Sequence, residues 1–261
     1  MSISIQNVAV DYASRRILNG IDLEINAGEF VSIVGETGCG KSTLLRLILA
    51  EERPTEGRVL VQGRQRSRPD QTCGYVPQKY SLFPDKTVLA NVIFGLDVTS
   101  RGFFRKHGHK EEALRYLRHT GLNEADAKKY PHQLSGGMQQ RVAIAQALIM
   151  KPPVLLMDEA FSALDPGTRR GMQQLIKDLW RESGTTVVFV THNTREAVCL
   201  GTRVVALAKD CERGSSIVLD LDVPHLDFDT DESHLARLIT RVESASAKSP
   251  QVIDETVTRI R

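Results

Sequence analysis

The chain has 261 residues, with 34 Lys and Arg against 32 Asp and Glu and a formal charge of +2. That balance gives no global electrostatic reason to expect a nucleic-acid partner, and the length suits one large domain or a core with a smaller subdomain. No run reaches the roughly 18 apolar residues of a spanning helix, the N-terminus lacks a secretory pattern, and the scattered Cys39, Cys73, Cys199 and Cys211 form neither a metal pattern nor a disulfide framework, so reduced cytosolic thiols are expected.

Near the N-terminus Ile3, Ile5, Val8 and Val10 alternate, as do Ile21, Leu23 and Ile25. Both runs predict half-exposed strands. Phe30 to Val34 is a short apolar run ending at a glycine, which predicts a buried strand, and Leu44 to Leu49 has helical spacing. From about Val88 to Met150 the pattern is mostly helical, an insertion in an α/β core. Its segment 99–113 is basic and reads as a solvated loop and helix start. VLLMD at 154–158 and TTVVFVTH at 185–192 are two further buried-strand runs, separated by helical spacing from Gly171 to Arg181. Strands alternating with helices predict a parallel sheet covered by helices. From Asp210 the chain turns polar, with Asp227, Asp229, Asp231 and Glu232, and predicts an appended helix and a partly disordered end. The expected organisation is a nucleotide-binding core over 1–87 and 151–210, a helical subdomain over 88–150 and a C-terminal extension over 211–261.

Gly35 to Ser42 (GETGCGKS) satisfies G-x-x-x-x-G-K-[ST] between a predicted strand and a predicted helix. Glycines let successive backbone N–H groups face phosphate oxygens, and the helix N-terminus adds partial positive charge. Gly35, Gly38, Cys39, Gly40, Lys41, Ser42 and Thr43 are the candidate cradle. Lys41 can reach the β- and γ-phosphates, and the Ser42 hydroxyl can ligate Mg²⁺. The nearby Lys41 and helix end favour a reactive Cys39 thiolate; a buried, inert thiol is the other reading. Asp158 closes VLLMD at a strand's carboxyl end, where ligands sit in open α/β sheets. It suits a metal ligand or a helix N-cap. Glu159 follows at once, so one acid can serve the metal and the other the attacking water.

Leu134-Ser135-Gly136-Gly137-Met138-Gln139-Gln140-Arg141 precedes the helical stretch Gln139–Met150. A hydroxyl and bare glycine amides at a helix N-terminus make a second anion site. This run resembles the signature of ABC ATPases, and the rest of the chain to about residue 210 follows that family's order. The resemblance implies an α/β P-loop NTPase (RecA-like) core with an antiparallel β subdomain and a helical signature subdomain. It implies that Tyr12 stacks on adenine, that Gln78 in YVPQ senses Mg²⁺ and water, and that Ser162-Ala163-Leu164-Asp165 communicates between sites. It further implies that His192 contacts the γ-phosphate, and that Ser135, Gly136 and Gly137 bind the γ-phosphate held by a second subunit. LSGGMQQRVAIAQAL and LFPDKTVLANVIFGL resemble bacterial importers of the nitrate, sulfonate and taurine group.

The resemblance therefore implies an ATPase using ATP and Mg²⁺. Its partners would be a second copy or a homologous ATPase, transmembrane permease subunits and, indirectly, a periplasmic or extracellular solute-binding protein. Its place would be the cytoplasmic face of the inner membrane, coupled through Gln78 and 79–95. An exporter or lipid-transport ATPase, or a soluble ABC protein on ribosomes or DNA, are the alternatives. Nucleic-acid binding is not expected, because the chain is near neutral and lacks a stacking platform. Two residues depart from the family pattern. Ala160 replaces the usual Pro after Glu159, which predicts a looser chain there, and Gln146 replaces an Arg.

Overall fold

The structure is a computed structural model that describes residues 1–13, 15–79, 82–99, 106–224 and 232–247. In chain order it contains β1 (Ile3–Tyr12), β2 (Arg15–Ile25), β3 (Phe30–Gly35), α1 (Lys41–Leu49), β4 (Glu56–Val61), β5 (Cys73–Val76) and α2 (Val88–Thr99). Next come α3 (Lys106–His119), α4 (Glu124–Ala127), α5 (Gly136–Ile149), β6 (Val154–Asp158), α6 (Pro166–Ser183), β7 (Thr186–Val190), α7 (Thr194–Leu200), β8 (Arg203–Ala208), β9 (Ser216–Asp222) and α8 (Glu232–Ser246). The chain forms two compact units, one from residues 1–70 and 184 onward, the other from 71–183.

In the first unit β3 pairs parallel with β7 and β8, and β9 adds an antiparallel edge to β8. All residues of β7 and β8 are buried, which is why β7 reads as a continuous apolar run rather than an alternating one. The antiparallel order β2-β1-β4 builds a separate sheet. β2 alternates as expected over Ile21, Leu23 and Ile25, with Leu18 also buried beyond a register shift, but in β1 Ile3, Ser4 and Ile5 are all buried. Its register shifts between Ile5 and Val8, where Asn7 takes a positive φ of 45°. The bulge rotates the later residues relative to the earlier ones, so one strict alternation does not describe the strand.

The C-terminal part is more structured than its polarity predicts. β9 completes the sheet, and α8 packs Leu235 and Val242 into the cluster formed by Val198, Val204, Ala206, Leu219 and Leu221. Glu232, the first residue of α8, forms a bidentate ion pair with Arg195 at 2.7 and 3.2 Å. Most of the acidic run and the expected disordered end lie outside the described residues. Arg203 holds β8 to β9 and β2: it donates to both Asp220 oxygens at 2.6 Å, to Glu29 at 3.1 Å and to the Glu24 carbonyl at 2.7 Å.

In the second unit β5 and β6 pair in parallel. Residues 88–150 hold α2 to α5 and, among the described residues, no strand. These helices share a core of Val88, Val92, Leu117, Leu122, Val142 and Ile149. Asn91, fully buried, fastens the turn entering α2 by accepting from Phe83 N–H and donating to the carbonyls of Phe83, Lys86 and Thr87. The basic run overlaps residues 100–105, outside the described part, and continues into α3.

Candidate functional site

The first unit carries the phosphate-loop residues. β3 delivers the chain to Gly35, and the loop turns through Gly35, Gly38 and Gly40 at φ 153°, 80° and 94°. Two of these glycines are sterically required. A Cβ at Gly35 would lie 2.5 Å from the Leu207 carbonyl oxygen and 2.8 Å from Cys39 Sγ, and one at Gly40 would lie 2.5 Å from Leu18 Cδ2. Gly40 is the N-cap of α1 and has no side chain to cap it, so the first amides of the helix face the loop. Lys41, 6% exposed, spans the loop with Nζ donating to the carbonyls of Gly35 at 2.7 Å and Glu36 at 2.9 Å. Ser42 is half-buried and Thr43 buried in the first turn.

Cys39 differs from the thiolate reading. It is wholly buried, and burial pushes its thiol up despite Lys41 Nζ at 3.9 Å. Desolvation of the thiolate outweighs the ammonium, which is already engaged by two carbonyls. The residue is a packing thiol.

Tyr12 ends β1 with its side chain 41% exposed; partial burial and the neighbouring Glu52 carboxylate raise its phenol pKa, and Thr43 is adjacent. His192 is exposed just past β7. Its turn is locked from both sides: Thr191 Oγ1 donates to Glu196 at 3.0 Å and accepts from Asn193 N–H at 3.0 Å, while Asn193 Oδ1 caps α7 at Glu196 N–H. Lys209, which no motif marks, lies beside the loop, with Nζ 3.7 Å from where a Gly38 Cβ would be.

The second unit carries the acids and the signature run. Asp158, 5% exposed, ends β6. Glu159 follows in a left-handed conformation, φ 46°, uncommon for a non-glycine residue and a type of strain that concentrates at functional sites. Gln78 Nε2 donates to Glu159 Oε2 at 2.9 Å, so two residues 81 apart in sequence meet. Ala160 and Phe161 are buried, and Ser162 N–H closes a turn on the Glu159 carbonyl at 3.0 Å.

Ser135 is the N-cap of α5: its Oγ accepts from Met138 N–H at 3.3 Å, and its carbonyl accepts from Gln139 N–H. The helix therefore begins at Gly136, three residues before the expected Gln139, because the hydroxyl satisfies an early amide. Gly137 sits against the 162–165 turn, with Leu164 Cδ2 and the Ala163 carbonyl 3.5 and 3.7 Å from an added Cβ. Asp165 accepts from Thr168 N–H at 3.1 Å at the start of α6, and contacts with Thr168 hold its carboxyl low. Arg169 braces the same turn by donating to the Phe161 and Leu164 carbonyls. Its signal in sequence is weak, since an Arg in a helix start is ordinary. Gln140, fully buried, donates to the Pro77 carbonyl at 3.3 Å.

The chain matches the model of the ABC transporter family over residues 18–162. It is 44% identical over 210 residues to an uncharacterized ABC transporter ATP-binding protein of Methanocaldococcus jannaschii, covering 80% of this chain and 77% of the relative. It is 42% identical over 222 residues to the aliphatic sulfonates import ATP-binding protein SsuB 3 of Pseudomonas syringae pv. tomato, covering 85% and 78%. It is 44% identical over 209 residues to the bicarbonate transport ATP-binding protein CmpC of Synechococcus elongatus, covering 79% of this chain but 31% of that longer protein. Among solved structures, the dimeric bacterial ABC transporter cassette MJ0796 superposes with a TM-score of 0.77 at 36% identity, over 85% of this chain and 99% of that one. Another structure of that cassette, a dimer in a post-hydrolysis state with ADP and Pi, gives 0.76 at 35%, with the same coverage. With a glycine-turned cradle ahead of α1, a paired Gln78 and Glu159 and a Ser-capped signature helix, the chain belongs to the ABC transporter ATP-binding family and is an ATPase with a P-loop α/β fold.

Proposed function

We propose that this chain is the ATP-hydrolysing subunit of an importer, dimerising around two ATP molecules to drive uptake of a small anion through permease subunits. The observation that carries the shared site is the presence of two glycine-lined helix N-termini, at Gly40 and Ser135, in a chain with one phosphate-loop motif. Gly137 supports it, because an added Cβ there meets only ordinary contacts within the chain. Its bareness serves something outside the chain: the γ-phosphate of nucleotide bound to a second subunit.

Each residue then has a task. Tyr12 stacks on adenine, the amides from Gly35 to Thr43, Cys39 included, hold the phosphates, and Lys41 leaves its two carbonyls for phosphate oxygens. Glu159 takes the proton of the water that attacks the γ-phosphorus, while the P–O bond to ADP breaks and ADP leaves with that electron pair. Gln78 orients Glu159 and the water, and His192 contacts the γ-phosphate. Asp165 aligns the turn that faces the second site. Mg²⁺ would be held by Ser42, Asp158 and Gln78 and would neutralise phosphate charge. Among the described residues no group of three acids, His or Cys stands ready as a metal cage. Hard oxygen donors with a single carboxylate among them suit Mg²⁺, which is held by one or two carboxylates together with phosphate oxygens and water.

On the importer reading, permease subunits would supply the path across the membrane and this subunit would sit at its cytoplasmic face; among the described residues no helix is long and apolar enough to cross a membrane. A solute-binding protein would deliver the cargo. Phe83, 37% exposed and packed on Phe94 at 4.5 Å with Lys86 over both rings, supports a docking role for the turn into α2. The small-anion cargo is supported by the sulfonate and bicarbonate names of the relatives.

The test is a dilution series of the purified subunit with oligomeric state followed by light scattering. Specific activity is expected to rise with concentration, and Ser135→Arg to keep monomer ATP affinity while abolishing dimers. A monomer hydrolysing at a constant, efficient rate across the series would overturn the shared site.

A further inference from the structure

Gln140 lies on α5 five residues beyond the Ser135 cap, wholly buried. Its side-chain amide reaches out of the helix: Nε2 donates to the Pro77 carbonyl at 3.3 Å, while Oε1 is buried with no hydrogen-bond partner. Pro77 directly precedes Gln78, whose own amide donates to Glu159 at 2.9 Å. A continuous line of contacts therefore runs from the Ser135 end of α5 through Gln140, Pro77 and Gln78 to Glu159.

A buried amide that uses one group and leaves the other unsatisfied is a poor choice for stability alone, since an orphaned buried acceptor carries a desolvation cost. An apolar side chain of similar length would fill the same space. Here the amide ties two segments together, and its Oε1 remains a buried acceptor beside the Pro77 bond.

We infer that Gln140 is a positioning residue that fixes the Pro77–Gln78 segment to the signature helix, so that loading of the Ser135 anion site sets the Gln78–Glu159 pair. It rests on the shared-site reading above. Gln140 touches neither nucleotide nor water and acts only through Gln78. The consequence is that Glu159 is aligned for hydrolysis when the signature end of its own subunit is engaged, which would keep the two sites of a dimer in step.

The test is Gln140→Met, which keeps length and apolar volume and removes the amide. Hydrogen exchange is read on the peptide containing the Gln78 and Lys79 amides, alongside steady-state ATPase. Exchange there is expected to quicken at least fivefold while that of the α5 core stays unchanged. Turnover is expected to fall about tenfold, the scale of one lost hydrogen bond, with monomer ATP affinity unchanged. The Gln140→Met, Gln78→Ala double variant is expected to be no slower than Gln78→Ala alone, because the two act in series. Unchanged exchange at Gln78, or losses that multiply in the double variant, would overturn the inference. If wild-type turnover proves independent of dimerisation, the shared-site reading falls instead, and the exchange measurement still decides whether Gln140 holds the Gln78 segment.

Discussion

The chain has two glycine-rich turns that each open a helix, and they are built differently. At the phosphate loop the fold itself demands glycine: positive φ at 35, 38 and 40, and no room for a Cβ beside Leu207 or Leu18. At the signature turn Gly136 and Gly137 lie within α5, with no positive φ at either and only ordinary contacts around a Cβ on Gly137. The first turn is shaped by its own chain. The second is held by the Ser135 cap, and at Gly137 a Cβ would meet only ordinary contacts. Glycine in a helix costs stability, so its presence at 137 points to a demand from a ligand or partner.

Gly40→Ala tests the first half and carries the largest expected effect. A left-handed alanine and a clash with Leu18 should cost about 2–4 kcal/mol in denaturant unfolding, with ATP binding lost as the loop shifts. A variant of wild-type stability would break the contrast. Lys41→Ala comes next. Removing a charge-assisted phosphate contact should weaken ATP binding about 100-fold in a fluorescent-nucleotide titration. Retained affinity would mean that the backbone cradle suffices.

Gly137→Ala should act in the opposite sense on stability and function. Helix propensity should make the variant as stable as wild type or better by about 0.5 kcal/mol. On the shared-site reading, monomer ATP affinity should hold, while turnover at high protein concentration falls about tenfold or more, because a methyl group would stand in the way of the second subunit's nucleotide. Full turnover with normal dimers would place the demand for glycine elsewhere.

The smallest effect concerns Cys39. Burial raises its folded pKa, so the neutral thiol persists and the thiolate fraction at neutral pH is below that of a free cysteine. The associated stability is complete below the unfolded pKa and is lost as pH rises through the higher folded value. Maleimide should modify Cys39 at least about tenfold more slowly than the exposed Cys211 at pH 7, with little change on adding MgATP. Peptide mapping reads both sites at once, and fast, ATP-protected labelling of Cys39 would restore the reactive-thiol reading.

The local chemistry was legible in the linear chain. Strand β3, the GETGCGKS turn and α1 follow from an apolar run, glycines and helical spacing, all of them short-range patterns. The same holds for β6 ending in Asp158 and for Ser135 ahead of α5. Other features depend on partners remote in sequence. β9 looks like polar tail until β8 pairs with it, and β8, buried at every residue, is not read as a strand at all in the sequence. The Gln78–Glu159 bond joins residues 81 apart, and Gln140 looks like any helix-surface amide until α5 packs against the strand that ends before Pro77. The two readings of Cys39 divide for a related reason: neighbours in sequence supply the positive charge, but only the folded core supplies the burial that opposes it. Sequence by itself determined which residues can bind phosphate, because that chemistry is local. Tertiary structure decided which are buried, strained or paired, because those energies depend on groups that only folding brings together.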